Sequence, residues 1–348
     1  MVVESDESDR SFLHLAPILA VITSIDREHL DCYGSLEELC RAYTEFANKV
    51  PFYGASIVCL DDENVRAIVP QLRRRVVTYG METGVDSTSP STTLRTSSPQ
   101  VGSAHSPQAD LMAEEIVCGH FQGRFRLRSR GEDLGEFRLR VPGRHNVWNA
   151  TAAVAIGLEL KIGLETIRKA LAEFGGVERR FQVRGMVDGV TVVDDYGHHP
   201  TEIRATLGAA RDCGYGRVLA VFQPHRYTRT ALLLDEFGPC FEGADSVFVL
   251  DIYPAGEPPI EGITAKVLVD RMQREAEAEV RRILLTSVSA SPAEVRAPVA
   301  GVVSTVDVTM PPTIGAAIRF ITSAPVPPPH MIGARPAMIA TTVMSFGR

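Results

Sequence analysis

Two aspartates and two histidines lie almost side by side in Asp194-Asp195-Tyr196-Gly197-His198-His199-Pro200. Carboxylate next to imidazole can hold a metal ion, pass a proton, or stand solvated in a loop, and burying such a cluster for packing alone is costly. An apolar run (Val190, Val192, Val193) precedes it and reads as a buried strand, while Thr201 onward reads as a helix. The cluster therefore sits at the carboxyl end of a strand, the edge where open α/β sheets place ligands. Adjacent histidines at that edge favour a functional reading.

Other groups able to do chemistry are spread along the chain. Gln223-Pro224-His225-Arg226-Tyr227-Thr228-Arg229 gathers one imidazole and two guanidinium forks, which suit a carboxylate or a phosphate. In Gly143-Arg144-His145-Asn146-Val147-Trp148-Asn149-Ala150, Asn146 and Asn149 share a helical face. Their amides both donate and accept, as an adenine edge requires, though capping by Asn146 is the plainer reading. Arg179-Arg180-Phe181 follows Gly175-Gly176 and either meets a phosphate or ends a helix in water. Glu4 and His29 close predicted strands and either hold a divalent cation or belong to ordinary acidic loops. Tyr253-Pro254-Ala255-Gly256-Glu257, taken alone, is a turn.

The elements that must position these groups follow from periodicity. Val2-Val3 and Ile18 to Ile25 read as strands. Ser35 with Glu38 forms a capping box ahead of a helix whose apolar face is Leu36, Leu39, Tyr43, Phe46, Ala47 and Val50, stopped by Pro51. Ala55–Leu60 and Val76–Tyr79 are expected strands, with a helix over Asn64–Leu72 between them. Phe121–Arg128 and Phe137–Val141 form a hairpin around Gly131-Glu132-Asp133. Asn146–Leu160 and Leu164–Phe174 are helices. From there Val190–Val193, Thr201–Arg211, Val218–Phe222, Leu232–Phe241 and Val247–Leu250 alternate strand and helix. That order predicts a parallel sheet with right-handed crossovers. Its strands deliver Asp194/Asp195, His225/Arg226 and Asp251/Tyr253 to one edge.

The 348 residues suggest about two domains, and the net charge of −7 argues against a nucleic-acid surface. Six scattered cysteines without a C-x-x-C pair, no secretory leader and no long apolar run predict a reduced, cytoplasmic protein with no membrane segment. Residues 85–110 are rich in Ser, Thr and Pro and read as a flexible insertion; 284–348 read as a poorly ordered tail.

Taken together, the segments Gly143–Ala150, Asp194–Pro200 and Gln223–Arg229 resemble the Mur ligases of bacterial peptidoglycan synthesis. Glu4 to Asp9 and Asp26 to Asp31 resemble that family's magnesium-site segments, and Tyr253–Glu257 its alanine-adding branch. The resemblance implies an α/β fold: the remainder of a P-loop-type central ATPase domain over 1–180 and a Rossmann-like C-terminal domain over 181–283. It implies joining of L-alanine to the carboxylate of UDP-N-acetylmuramate through an acyl phosphate, with ATP and Mg2+. On that basis Asp195, His198 and Arg180 are catalytic. Asn146, Asn149, Arg180 and Asp195 contact the nucleotide, Tyr196, His198, His225, Arg226 and Arg229 contact substrate, and Glu4 and His29 hold magnesium.

One expected element is missing. No G-x-x-x-x-G-K-[ST] occurs in the chain, nor does the family's UDP-binding domain. The sequence thus predicts a missing N-terminal half and little or no ligase activity by this polypeptide alone. Two other readings stand beside the ligase: a non-catalytic binding module, and a metal-dependent hydrolase built on Asp194, Asp195, His198, His199 and His225.

Overall fold

A computed structural model describes residues 1–82 except 6, residues 109–275 except 188, and three further strands, Ile283–Leu285, Ile318–Ser323 and Met338–Thr342. The expected insertion lies outside the described residues apart from Ala109 and Asp110, as does most of the expected tail.

Two sheets organise the chain. The first has the order β1 (Leu19–Ile22), β2 (Ala55–Cys59), β3 (Val76–Met81), β4 (Leu111–Gly119), β5 (Gln122–Ser129) and β6 (Glu132–Leu139). The first four strands run parallel, and β4, β5 and β6 pair antiparallel in turn. Between β1 and β2 come the short α1 (Leu30–Tyr33) and α2 (Leu36–Asn48), and α3 (Glu63–Ile68) follows β2. Ser35 caps α2, its hydroxyl accepting from the Glu38 amide at 3.3 Å. The buried residues Leu39, Phe46 and Ala47 of α2 share one cluster with Ile22, Val58 and Val65.

A second cluster joins this sheet to α4 (Arg144–Glu159) and α5 (Leu164–Glu173). The alanines of α4 let it approach closely, and Val147, Ala150, Val154 and Ala155 are all buried. Phe125 and Phe137 stack at 5.5 Å beneath it. Each buried ring contributes roughly 1.5–3 kcal/mol by leaving water.

The second sheet is mixed, in the order β11 (Ile283–Leu285), β10 (Ser246–Val249), β9 (Arg217–Phe222), β12 (Ile318–Ser323), β13 (Met338–Thr342), β8 (Val190–Asp195), β7 (Gln182–Val187). β9, β10 and β11 are parallel, but β12 runs antiparallel to both β9 and β8. α6 (Pro200–Asp212) and α9 (Ala265–Glu275) cover it, with Ile203, Leu207, Leu268 and Met272 meeting Val193, Phe222, Val247 and Val249 in one core.

Several expectations are corrected. Val2-Val3 is exposed coil, because no neighbouring strand takes its backbone among the described residues. Of the helix expected over Leu232–Phe241 only the short α8 (Phe237–Cys240) forms, and a separate α7 (Tyr227–Leu232) ends where that helix was to begin. Pro239 would collide with the carbonyl four residues earlier in a continuous helix. β4 and β7 were not foreseen. A bulge between Glu114 and Val117 breaks the alternation of β4, and β7 is an edge strand with no buried position. The hairpin turn falls at Arg130-Gly131, both at positive φ, one step earlier than expected.

Candidate active site

Asp195 ends β8 and is fully buried. One carboxylate oxygen accepts from the Phe181 amide at 2.9 Å and the Thr206 hydroxyl at 3.2 Å; the other accepts from the Gly197 amide at 3.1 Å. Burial pushes its carboxyl well above the usual range, and the Arg180 charge opposes that. Arg180 is itself pulled down by burial, while Asp195, Glu202 and Glu4 hold its charge. Glu4, although exposed, is thus close enough to act on Arg180. Asp194 faces elsewhere, with the Arg184 guanidinium 2.7 Å away.

The histidine pair opens α6. His199 is its N-cap and shares a capping box with Glu202, which accepts from the amides of His198 and His199. This fixes the backbone that carries both rings. His198 Nδ1 lies 3.0 Å from the Tyr196 carbonyl; since a carbonyl only accepts, Nδ1 carries the proton and Nε2 looks toward Glu28 at 3.6 Å. His198 also packs 5.8 Å from His225, and Tyr196 packs against His198 on one side and Arg179 on the other.

His225 stands between Tyr253, stacked at 5.7 Å, and Arg229, whose Nη1 donates to His225 Nδ1 at 3.1 Å. Burial and the neighbouring cations push its imidazole down to about 3, so it stays neutral and serves as an acceptor. Arg226 Nε is buried with no hydrogen-bond partner.

The first sheet sends one loop into this group. Asp26 accepts from the Thr201 hydroxyl at 2.6 Å and lies 3.3 Å from His199 Nδ1. Arg27 reaches Glu236 at 3.5 Å, and Glu28 meets Arg229 at 3.1 Å. Burial alone would raise Glu28, but His198, Arg229 and His199 outweigh it and hold its carboxyl far below the usual range. Glu28, His29, Arg226 and Arg229 line a cleft of about 850 Å³ together with Asp31, Leu36 and Leu232.

Among the described residues, ligand atoms of Glu7, Glu28 and His29 lie within 4.8 Å of one another, a mixed oxygen and nitrogen set that fits a divalent cation. His29 belongs to this trio, whereas Glu4 stays outside it. Asn146 donates to the Pro142 carbonyl at 2.7 Å and contacts His145 Nε2 at 3.1 Å, so its amide hydrogens serve the helix start. Asn149 is exposed one turn on. Sequence reasoning named neither Glu7, Glu28, Asp26 nor Glu202 as site residues; the His199-x-x-Glu202 spacing was the available signal for the last.

Residues 2–157 match the Mur ligase middle domain, and residues 179–305 match the glutamate ligase domain of Mur ligases. The chain belongs to the Mur ligase family. It is 56% identical over 274 residues to the UDP-N-acetylmuramate–L-alanine ligase of Solibacter usitatus, covering 79% of this chain and 53% of that protein. Against the ligase of the same name from Myxococcus xanthus the identity is 48%, over 80% of this chain and 54% of the relative. The chain therefore spans about half the length of the curated relatives it matches. Among solved structures, the UDP-N-acetylmuramate–alanine ligase of Thermotoga maritima shares the fold with a TM-score of 0.58 at 24% identity, covering 81% of this chain and 54% of that one. A MurF ligase of Thermotoga maritima in complex with ADP shares it with a TM-score of 0.52 at 16% identity, over 78% and 58% of the two chains. As a Mur ligase, the chain carries the histidine pair and the His225–Arg229 segment on its C-terminal domain, and the acidic loop that meets them on its middle domain.

Proposed function

We propose that this Mur ligase chain takes part in ATP-dependent joining of L-alanine to the carboxylate of UDP-N-acetylmuramate, in a cytoplasmic setting. The observation that carries the reading is the meeting of Glu28, His198 and Arg229 across the two domains, with Glu28 and Arg229 at the wall of one cleft. The names of the relatives supply the substrates, and the ADP complex of a structural neighbour supports the nucleotide.

Arg226, with its buried unpartnered Nε, holds the carboxylate of the incoming amino acid, and Arg229 assists while fixed by His225 and Glu28. Holding amine and acyl carbon together converts a two-body encounter into a local one. The proton shed by the amine has a place on His198 Nε2, which Glu28 faces at 3.6 Å. Arg180 takes nucleotide phosphate, and Asp195, tied by three donors, keeps Arg180 charged and the Gly197–His199 turn in place. Asn149 serves the adenine together with the side-chain oxygen of Asn146, whose amide hydrogens are already taken. Mg2+ would be held by Glu7, Glu28 and His29, with Glu4 outside that trio, and would supply positive charge against the phosphates. The hydrolase reading has no such support: Asp194 is tied to Arg184 and His225 Nδ1 to Arg229, so the five groups do not face one point.

The test is phosphate release with ATP, Mg2+ and UDP-N-acetylmuramate, as a function of L-alanine, glycine or L-serine. It is run on the chain alone and with the preceding half of a relative supplied, because the sequence holds no G-x-x-x-x-G-K-[ST]. Alanine-dependent release in either format supports the reading; none in both, with no ADP binding, overturns it.

A further inference from the structure

The Tyr253–Glu257 segment has no role of its own toward substrate in the reading above, yet it is bonded to the helix that carries the arginines. Glu257 Oε2 accepts from the Thr228 amide at 3.0 Å and Oε1 from the Thr228 hydroxyl at 2.7 Å. Thr228 lies in the first turn of α7, where amides have no partner within the helix. The residue at the cap position is Arg226, and its side chain makes no capping bond. Glu257 therefore does from a distant loop what a local cap would otherwise do.

Two further contacts bind the same pieces. The Arg226 amide donates to the Tyr253 carbonyl at 2.9 Å, and the Tyr253 amide donates to the Pro224 carbonyl at 2.8 Å. Arg226 has φ 68 and ψ 141, a conformation that non-glycine residues hold only when their surroundings impose it. Between Tyr253 and Glu257 the chain reverses through Ala255 and Gly256, both at positive φ, closed by the Glu257 amide on the Pro254 carbonyl at 2.9 Å. The turn aims the carboxylate back at α7.

We propose that Glu257 is a positioning residue: its two-point clasp on Thr228 sets the first turn of α7 and with it the places of Arg226 and Arg229 in the cleft. The significance of those places for the acceptor amino acid rests on the proposed function; the clasp itself does not. Thr228 is exposed and Glu257 half-buried, so the effect is local rather than global.

The test compares the parent chain with Glu257→Ala and Glu257→Gln by hydrogen exchange over residues 226–232 and by phenylglyoxal labelling of Arg226 and Arg229, with Arg211 as an internal reference. In E257A, exchange at the first turn of α7 should speed up about five- to tenfold, the scale of a lost cap. Labelling of Arg226 and Arg229 should change relative to Arg211, while β9 and β10 stay protected. E257Q, which keeps an acceptor oxygen, should fall nearer the parent. In a format that turns over, E257A should raise KM for alanine more than it lowers kcat. Exchange and labelling at parental values in E257A would overturn the proposal. A parent that takes no alanine strikes instead at the proposed function, and the exchange and labelling arms still decide the clasp.

Discussion

Glu28 lies in a loop of the middle domain and Arg229 in α7 of the C-terminal domain, yet their charged groups meet at 3.1 Å with both side chains largely withdrawn from water. The same loop places Asp26 against His199 and Arg27 against Glu236, so three consecutive residues of the middle domain each grip the C-terminal domain. Of these, only Glu28 is shielded enough for its pair to count appreciably, since exposed pairs contribute little.

Glu28→Ala should therefore cost about 2–4 kcal/mol, because it strands the shielded Arg229 guanidinium without its carboxylate. Urea unfolding at neutral pH measures this. The Glu28 carboxyl is depressed in the folded chain, so its contribution is complete above the ordinary carboxylate range and fades as pH falls through the depressed folded value. A parent and E28A that unfold at the same urea concentration would show the contact to be idle.

The buried imidazoles act at higher pH. Burial, with help from Arg180, lowers His145 to about 4, and His225 is lowered to about 3. Between the unfolded value near 6.5 and these folded values the unfolded chain binds more protons, so stability is full above about 6.5 and declines as pH falls toward 4. Unfolding midpoints from pH 7.5 to 4.5 should trace that decline, and His145→Gln should flatten it. A profile of unchanged slope in H145Q would remove His145 from the account.

Much of this was legible in the sequence. The strand–helix alternation after Val190 and the edge carrying Asp195, His198 and His225 follow from apolar runs and their breaks, which are local properties. The partners of those groups were not legible. Glu28 meets Arg229 only because two domains fold against each other, and nothing in the local pattern around Asp26–Asp31 encodes that. Asp194 shows the reverse case: adjacent to Asp195 in sequence, it points to the other face of its strand and is taken by Arg184. The Val2-Val3 strand failed for a related reason, since pairing is decided by a neighbour and not by the residues themselves.

Gly143 sits at φ +92, and a Cβ there would lie 2.7 Å from the His145 ring and 2.9 Å from Ala209. Gly143→Ala should cost about 2 kcal/mol or more through the combined backbone and steric conflict. It should also displace His145, and through it Asn146, weakening ADP binding beyond the loss of stability. Gly131→Ala is the control: its φ is similarly positive, at +88, but its surroundings are open. G131A should lose stability without touching ADP affinity, and equal ADP affinities in the two variants would disconnect Gly143 from the nucleotide.

The last expectation concerns the cation. Glu7, Glu28 and His29 offer a hard, mixed set of donors, and His29 holds its place with φ 53. Mn2+, followed through the loss of its free electron-paramagnetic signal, should bind the parent chain. Because Arg229 and His198 already draw on the Glu28 charge, the binding should be modest and should strengthen when ADP is added. His29→Asn is the informative variant, since asparagine tolerates the left-handed backbone that alanine would strain. Both H29N and Glu7→Gln should weaken Mn2+ binding by at least about tenfold, the loss expected when a metal site is disturbed at or near its ligands. Parental affinity in both variants would show that the trio is a hydrogen-bonded acidic cluster and would move the cation elsewhere.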